Sequence, residues 1–165
     1  MPDLKGVRKA SENLRDVSIV TPLNLNERLS EKLNARIFFK REDLQKVRSF
    51  KIRGAFNKIK SLNLENTQDG KKIICASAGN HAQGVAYACS HHNIHGTIFM
   101  PSPTPQQKVS QVAMFGGDKV TIKLVGDTYD DCIEYGIVQD LSKKVYPFDK
   151  EYHQLGLELS LIHIS

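Results

Sequence analysis

The stretch KIICASAGNHAQGVAYACSHHN, residues 72–93, decides the fold of this chain. Its first part, KIICAS (72–77), is a continuous apolar run of the kind that forms a buried strand. The part from His81 onward is rich in alanine and other small residues and predicts a helix. A strand that leads directly into a helix predicts one βα unit of a parallel sheet.

The same alternation extends to both sides of this stretch. The predicted strands are 35–40, 72–77, 96–101, 119–125 and 145–148, and the predicted helices are 49–62, 81–93, 104–115 and 127–144. Gly116 and Gly117 are predicted to stop the third of these helices, and 63–70 reads as a polar loop. Elements alternating at this pitch predict an α/β fold with right-handed crossovers and a parallel sheet covered by helices on both faces.

Composition indicates one globular domain that does not enter a membrane. The chain has 165 residues, of which 40% are hydrophobic and 25% charged. It contains no run of about 18 apolar residues and no visible secretory leader, so a cytoplasmic protein is expected. Cys75, Cys89 and Cys132 lie far apart without a CxxC pair, so we interpret them as buried thiols.

Charge is distributed unevenly along the chain. Residues 1–72 carry 17 Lys/Arg against 9 Asp/Glu, and residues 73–165 carry 6 against 9, so the two parts are +8 and −3. The basic part could meet nucleic acid, but it has no aromatic platform and no nucleic-acid motif. A small anionic ligand fits this charge at least as well, and no nucleic-acid partner is predicted.

The loop SAGNHAQG (77–84) is the first candidate site, because it joins the carboxyl end of a strand to the start of a helix. The first N–H groups of a helix have no internal partners and carry partial positive charge, so they favour an anion. Gly79 would let the backbone approach that anion closely. The alternative is a tight turn in which Ser77 or Asn80 only caps the helix.

Two nucleotide-binding patterns fail at this loop. Gly79 and Gly84 have the spacing of a P-loop, but Val85 and Ala86 stand where Lys-Ser/Thr is required. A GxGxxG fingerprint would need glycine in place of His81. A nucleoside triphosphate is therefore not predicted.

A metal site is not predicted either. His91, His92 and His95 fall at a helix end without a matching carboxylate such as that of HExxH, and histidines at a helix C-terminus are favourable for electrostatic reasons alone. The acidic residues between 130 and 134 fit a solvated helix face.

Lys51 is the second candidate site, because it stands where a helix should begin in SFKIRGA (49–55). A lysine with the ordinary pKa of about 10.4 is neutral less than about a thousandth of the time at pH 7, so a nucleophilic role requires a lowered pKa. The helix N-terminus, partial burial beside Phe50, and the charges of Arg48 and Arg53 would all lower it. Gly54 costs helix stability, which suggests that a flat cofactor or a neighbouring helix packs closely there.

Several motifs together resemble one enzyme family. KREDLQKVRSFKIRGAFNKI (40–59), SAGNHAQGVAYA (77–88) and MPSPTPQQKVSQVAMFGG (100–117), with TPL at 21–23, resemble the pyridoxal-phosphate-dependent threonine dehydratases of fold type II. The resemblance runs from about residue 19 to residue 149. The SAGNHAQ form is more similar to the threonine/serine dehydratase branch than to cysteine synthases.

The resemblance implies a cofactor, a reaction and roles for residues. Lys51 would carry pyridoxal phosphate covalently through its amine, Phe50 would pack on the cofactor ring, and Asn80 would hydrogen-bond its phenolic oxygen. The implied reaction is β-elimination of L-threonine to 2-oxobutanoate and ammonia, the first step toward isoleucine. A homo-oligomer is implied for the full-length protein. The substrate carboxylate would be received by Ser77, Ala78, Gly79, Asn80 and His81.

The resemblance also implies a domain division. Residues 1–40 would be the N-terminal segment of a larger domain, 41–145 a small α/β domain, and 146–165 a return to the larger domain. The glycine-rich phosphate loop of relatives lies beyond the position of Asp149. The tail KEYHQLGLELSLIHIS departs from the family pattern and is interpreted as a truncated or out-of-frame end, so weak cofactor binding and little or no activity are expected of these 165 residues.

Two alternatives to threonine dehydration stay open. L-serine dehydratase or serine racemase would use the same residues on a different substrate. A non-catalytic anion-binding α/β domain would keep the fold without the chemistry.

Overall fold

A computed structural model describes residues 3–62, 72–140 and 145–147. Within these ranges it contains two separate sheets, six α-helices and two short 3-10 turns at 42–44 and 117–119. The elements are α1 (Leu4–Asn13), β1 (Leu23–Leu25), α2 (Glu27–Leu33), β2 (Phe38–Lys40), α3 (Lys51–Ser61), β3 (Lys72–Ala76), α4 (Asn80–His91), β4 (Gly96–Met100), α5 (Gln106–Gly116), β5 (Val120–Leu124), α6 (Tyr129–Asp140) and β6 (Val145–Pro147). No helix in these ranges is long and apolar enough to cross a membrane.

The main sheet is parallel, as predicted. Its strand order is β5-β4-β3-β6, with pairs such as Cys75 opposite Ile98 and Ile98 opposite Ile122. Side chains alternate between the two faces, because successive residues of a strand point in opposite directions. Cys75 and Ile98 join the large core cluster that contains α3 and α4, whereas Ala76 and Phe99 pack with Cys132 of α6. The prediction of helices on both faces is therefore confirmed.

The first predicted strand, 35–40, does not belong to this sheet. Only Phe38–Lys40 forms a strand, and it pairs antiparallel with Leu23–Leu25, a strand that the sequence analysis did not identify. The side chains of β1 are exposed, and both phenylalanines of β2 are more than 40% exposed. The prediction was wrong because a single apolar run shows β propensity but not its pairing partner. The partner, Leu23–Leu25, is too short and has too polar a central residue to be recognised as a strand.

Local signals placed the helix ends well. Gly117, at the end of α5, has φ of 54°, which is the left-handed conformation that favours glycine. The carboxylate of Asp131 accepts hydrogen bonds from the backbone N–H groups of Asp127 (2.8 Å) and Thr128 (2.9 Å) ahead of α6. The predicted loop 63–70, the end of the last predicted helix at 141–144, and the tail from residue 148 lie outside the described residues.

The N-terminal helix packs on the parallel α/β unit. Ala10 and Leu14 are buried in the same cluster as Ile52 of α3, and the Asn13 side-chain amide donates to Oδ1 of Asn57 over 2.9 Å. The division of the chain into a segment 1–40, a domain 41–145 and a return from 146 stays a prediction.

Candidate active site

Lys51 is the first residue of α3, where the sequence analysis placed a helix start. The residue before it, Phe50, is at the N-cap position, and no side chain caps the helix there. Lys51 is half-buried, and its Nζ lies 5.3 Å from the centre of the Phe50 ring, which is 42% exposed. An amine therefore stands at the positive end of a helix beside an exposed aromatic face.

The loop 77–79 lies between the carboxyl end of β3 and the start of α4 at Asn80, as predicted. Ser77, Ala78 and Gly79 are half-buried, whereas Asn80 is exposed. No side chain hydrogen-bonds the α4 N-terminus in the cap position, so Ser77 and Asn80 do not act as its cap. Instead the Ser77 hydroxyl accepts from the N–H of Gly79 over 3.3 Å. A helix start without a side-chain cap is the kind of position that can receive an anion.

Helices α3 and α4 lie close together at Gly84, a residue whose role the sequence analysis missed. A Cβ added there would come within 3.1 Å of the Lys51 carbonyl oxygen and 3.2 Å of Ala55 Cβ. Close packing had been expected at Gly54, which is buried within α3. The pairing of Gly84 with Ala55 was visible only as two small residues on separate helices, and the fold was needed to bring them together.

The fold also places His81 within electrostatic reach of Lys51. Burial, and to a smaller extent the positive charge of Lys51, together lower the pKa of His81 to about 3. The imidazole is therefore neutral at physiological pH. If His81 contacts a carboxylate, as the resemblance implies, it does so as a hydrogen-bond donor and not as a cation.

Arg53 does not act as the free positive charge that the sequence analysis expected beside Lys51. Its Nε lies 3.0 Å from Oε2 of Glu42, and the two side chains are 9% and 13% exposed. Because Glu42 compensates its charge, Arg53 contributes little to the potential at Lys51. The partner lies in the 3-10 turn at 42–44, eleven residues away, so no local pattern indicated it.

The histidines near the end of α4 pack on aromatic rings. His91 and His92 lie with their ring centres 5.0 Å and 4.5 Å from that of Phe56. Within the described ranges, no group of three His, Cys, Asp or Glu side chains is placed to hold a metal ion. Cys75, Cys89 and Cys132 are buried thiols, as the sequence analysis expected.

The residues around Lys51 fit a flat, anionic aldehyde such as pyridoxal phosphate. A Cβ added to Gly79 would find no atom within 4 Å, so the loop beside the α4 N-terminus is open. The hydroxyl of Ser49, only 7% exposed as a residue, has no hydrogen-bond partner in the part of the chain that the structure describes. An amine, an exposed ring, a buried hydroxyl and an open helix N-terminus supply the chemistry that such a molecule needs. The individual roles of Lys51, Phe50 and residues 77–81 stay predictions.

This fold and site define a class of protein. Residues 14–159 match the family described as "Pyridoxal-phosphate dependent enzyme", and the chain belongs to that family. The sequence-based identification of the fold type and of pyridoxal phosphate as the cofactor is thereby confirmed.

More particular similarities point to one branch. The chain is 59% identical over 128 residues to the biosynthetic L-threonine dehydratase of Bacillus subtilis, a match that covers 78% of this chain and 30% of that protein. The processed form of threonine deaminase isoform 2 from Solanum lycopersicum superimposes with a TM-score of 0.72 at 35% identity, over 98% of this chain and 47% of that one. Maize serine racemase superimposes with a TM-score of 0.77 at 25% identity, over 98% and 50%. The chain spans about a third of the length of the curated relatives that it matches.

Proposed function

We propose that this chain carries the lysine-bearing part of a threonine dehydratase, which converts L-threonine to 2-oxobutanoate and ammonia. The observation that carries the proposal is the Lys51 amine at the start of α3, beside the exposed ring of Phe50 and against α4. The identity to the Bacillus subtilis dehydratase supports the choice of substrate.

Each residue has a defined task in this proposal. The first turn of α4 and the loop from Ser77 to Gly79 bind the substrate carboxylate through N–H groups that no side chain caps. The Lys51 amine would take the substrate's α-proton at Nζ. Neutral His81 donates a hydrogen bond to the substrate carboxylate without adding a positive charge. Bound pyridoxal phosphate supplies the electron sink for the negative charge that develops at the α-carbon.

A chimera tests this function directly. Residues 14–145 of this chain would replace the matching segment of the Bacillus subtilis dehydratase, and 2-oxo acid formation from threonine would be measured. We expect activity from the chimera and none from its Lys51→Ala variant. A folded chimera without product from threonine would reject the proposal.

L-Serine is the second candidate substrate, favoured by the likeness to maize serine racemase. The same chimera separates the two when kcat/KM is compared for threonine and serine and when D-serine is measured. Faster turnover of serine, or formation of D-serine, would replace threonine dehydration as the function.

Two further parts of the proposal concern the setting of the enzyme. We place the activity in the cytoplasm and in a homo-oligomer, which cell fractionation and light scattering of the complete enzyme would test. For the 165 residues alone we expect borohydride to trap pyridoxal phosphate on Lys51 with little turnover. An anion-binding domain without catalysis would show no such trapping.

A further inference from the structure

Arg53, two residues after Lys51, is the centre of a buried polar cluster. The guanidinium makes a two-pronged contact with Glu42, through Nε to Oε2 (3.0 Å) and Nη2 to Oε1 (3.2 Å). It also donates from Nη1 to the Ser18 hydroxyl (3.0 Å) and from Nη2 to the carbonyl of Ile19 (3.2 Å). One side chain thus ties α3 to two other parts of the chain.

The same cluster fixes the segment 18–21. Glu42 Oε1 accepts from the hydroxyl of Thr21 over 2.6 Å. The side chain of Gln45, 3% exposed, pairs with both backbone groups of Ile19, accepting from its N–H (3.1 Å) and donating to its carbonyl (2.8 Å). Every contact is directional, so the cluster defines an orientation and does not only bury surface.

This cluster acts on the turn of α3 that holds Lys51. The backbone N–H of Arg53 donates to the carbonyl of Phe50 over 3.0 Å, which closes the turn around Lys51. On another side of that turn, the carbonyl of Lys51 faces Gly84 of α4. The lysine backbone is therefore held between α4 and an ion pair to the 3-10 turn.

Buried ion pairs contribute little net stability, because desolvation of both charges offsets their attraction. Their attested use is to specify one arrangement among several. We propose that Glu42 and Arg53 are positioning residues, which hold the start of α3 so that the Lys51 amine meets the aldehyde of pyridoxal phosphate in a reactive orientation. The inference rests on the role of Lys51 in the proposed function.

The test follows the rate at which Lys51 reacts with pyridoxal phosphate in the intact chain. Samples are quenched with borohydride at intervals, and the label is located by mass spectrometry, with exposed Lys9 as the internal reference. Because misplacement by about 1 Å can cost about a hundredfold in rate, we expect Glu42→Gln and Arg53→Lys to slow labelling of Lys51 by about tenfold or more, with Lys9 unchanged. Arg53→Lys keeps the charge but loses the planar fork.

The chain offers a matched control pair. Nη2 of Arg41 lies 2.7 Å from Oδ2 of Asp43 in the same region, but these two side chains are 38% and 56% exposed. Exposed ion pairs contribute little stability and do not fix an orientation. In the Asp43→Asn variant we therefore expect Lys51 to be labelled at the wild-type rate.

A double variant separates positioning from stability. Glu42→Met with Arg53→Met removes both buried charges, so we expect it to melt within a few degrees of the wild type while Lys51 still reacts slowly. As a second readout, amide hydrogen exchange at residues 51–55 without cofactor is expected to be faster in this variant. The inference would be overturned if the double variant labels at Lys51, and exchanges amide hydrogens at residues 51–55, at the wild-type rates. A slowing shared equally by Lys9, with a large fall in melting temperature, would overturn it too.

The two proposals fail in different ways. If Lys51 of the unaltered chain reacts no faster than Lys9, the role of Lys51 in the proposed function is rejected. If Lys51 reacts faster than Lys9 in the unaltered chain and equally fast in all variants, only the positioning role is rejected.

Discussion

The close contact between α3 and α4 at Gly84 predicts a definite cost for the variant Gly84→Ala. The added methyl carbon would lie 3.1 Å from the carbonyl oxygen of Lys51, 3.3 Å from its carbonyl carbon and 3.2 Å from Ala55 Cβ. Two of these atoms are backbone and cannot rotate away, so one helix must move by a few tenths of an ångström.

Two effects of opposite sign determine how much Gly84→Ala changes the free energy of unfolding. Alanine is favoured over glycine in a helix interior by about 1 kcal/mol. Overpacking of a closely packed site costs about 1–3 kcal/mol. We therefore expect Gly84→Ala to lower the free energy of unfolding by up to about 2 kcal/mol, and any movement of α3 to slow the labelling of Lys51.

Gly6→Ala is the matched control for helix propensity. Gly6 is an exposed glycine in the first turn of α1, and its added Cβ would meet no backbone atom. It would meet only the carboxylate oxygen of Asp3 at 3.1 Å, which caps the helix by accepting from the Gly6 N–H over 2.6 Å, so the control also requires that this cap is kept. Urea unfolding followed by circular dichroism at 222 nm measures both variants. If Gly84→Ala is stabilised as much as Gly6→Ala, the helices do not approach as described and the reasoning is refuted.

Three further predictions concern ionisable groups. The pKa of His81 is lowered to about 3 in the folded chain from an ordinary 6.5, so between these pH values the unfolded chain binds a proton that the folded chain does not. The free energy of unfolding should therefore fall as pH drops from 6.5 toward 3. Urea unfolding of His81→Gln at pH 7 and pH 4.5 should show a smaller fall than the unaltered chain, and an equal fall would contradict this. Burial raises the pKa of Cys89 to about 12, so iodoacetamide at pH 8 should alkylate this thiol only after unfolding, as judged by mass spectrometry of the native and urea-treated chain. Hydrogen bonds from the N–H groups of Asp127 and Thr128 lower the pKa of Asp131. Asp131→Asn should therefore destabilise the fold at pH 7 and not at a pH well below 3.8. A loss of stability of the same size at both pH values, measured by thermal unfolding, would contradict a stabilising role for the Asp131 carboxylate at the start of α6.

Features that depend on neighbours in the chain were predictable from the sequence. The parallel strands β3, β4 and β5, the glycine stop after α5 and the start of α3 at Lys51 all follow from periodicity and turn residues within a few positions. The loop 77–79 at the carboxyl end of β3 follows from the same signals. Recognition of the family required more, namely three motifs in order along the chain.

Features that depend on distant pairing were not predictable. The antiparallel pair of β1 and β2 joins two short exposed runs, and one of them carries no clear strand signal. The close approach at Gly84 and the neutral state of His81 depend on how α4 lies against the start of α3. A sequence shows that a lysine and a histidine exist, but not that one stands within electrostatic reach of the other.

Sequence alone thus determined the elements from α3 onward, where Lys51 and the SAGNHAQG loop lie along them, and which family the chain resembles. Only the tertiary structure decided that Arg53 is paired with Glu42 and tied to Ser18, which lies 35 residues away. The physical reason is the range of the forces. Helix starts and turns are set by torsion angles and hydrogen bonds between near neighbours, whereas burial, charge compensation and close packing exist only after distant segments have been brought into contact.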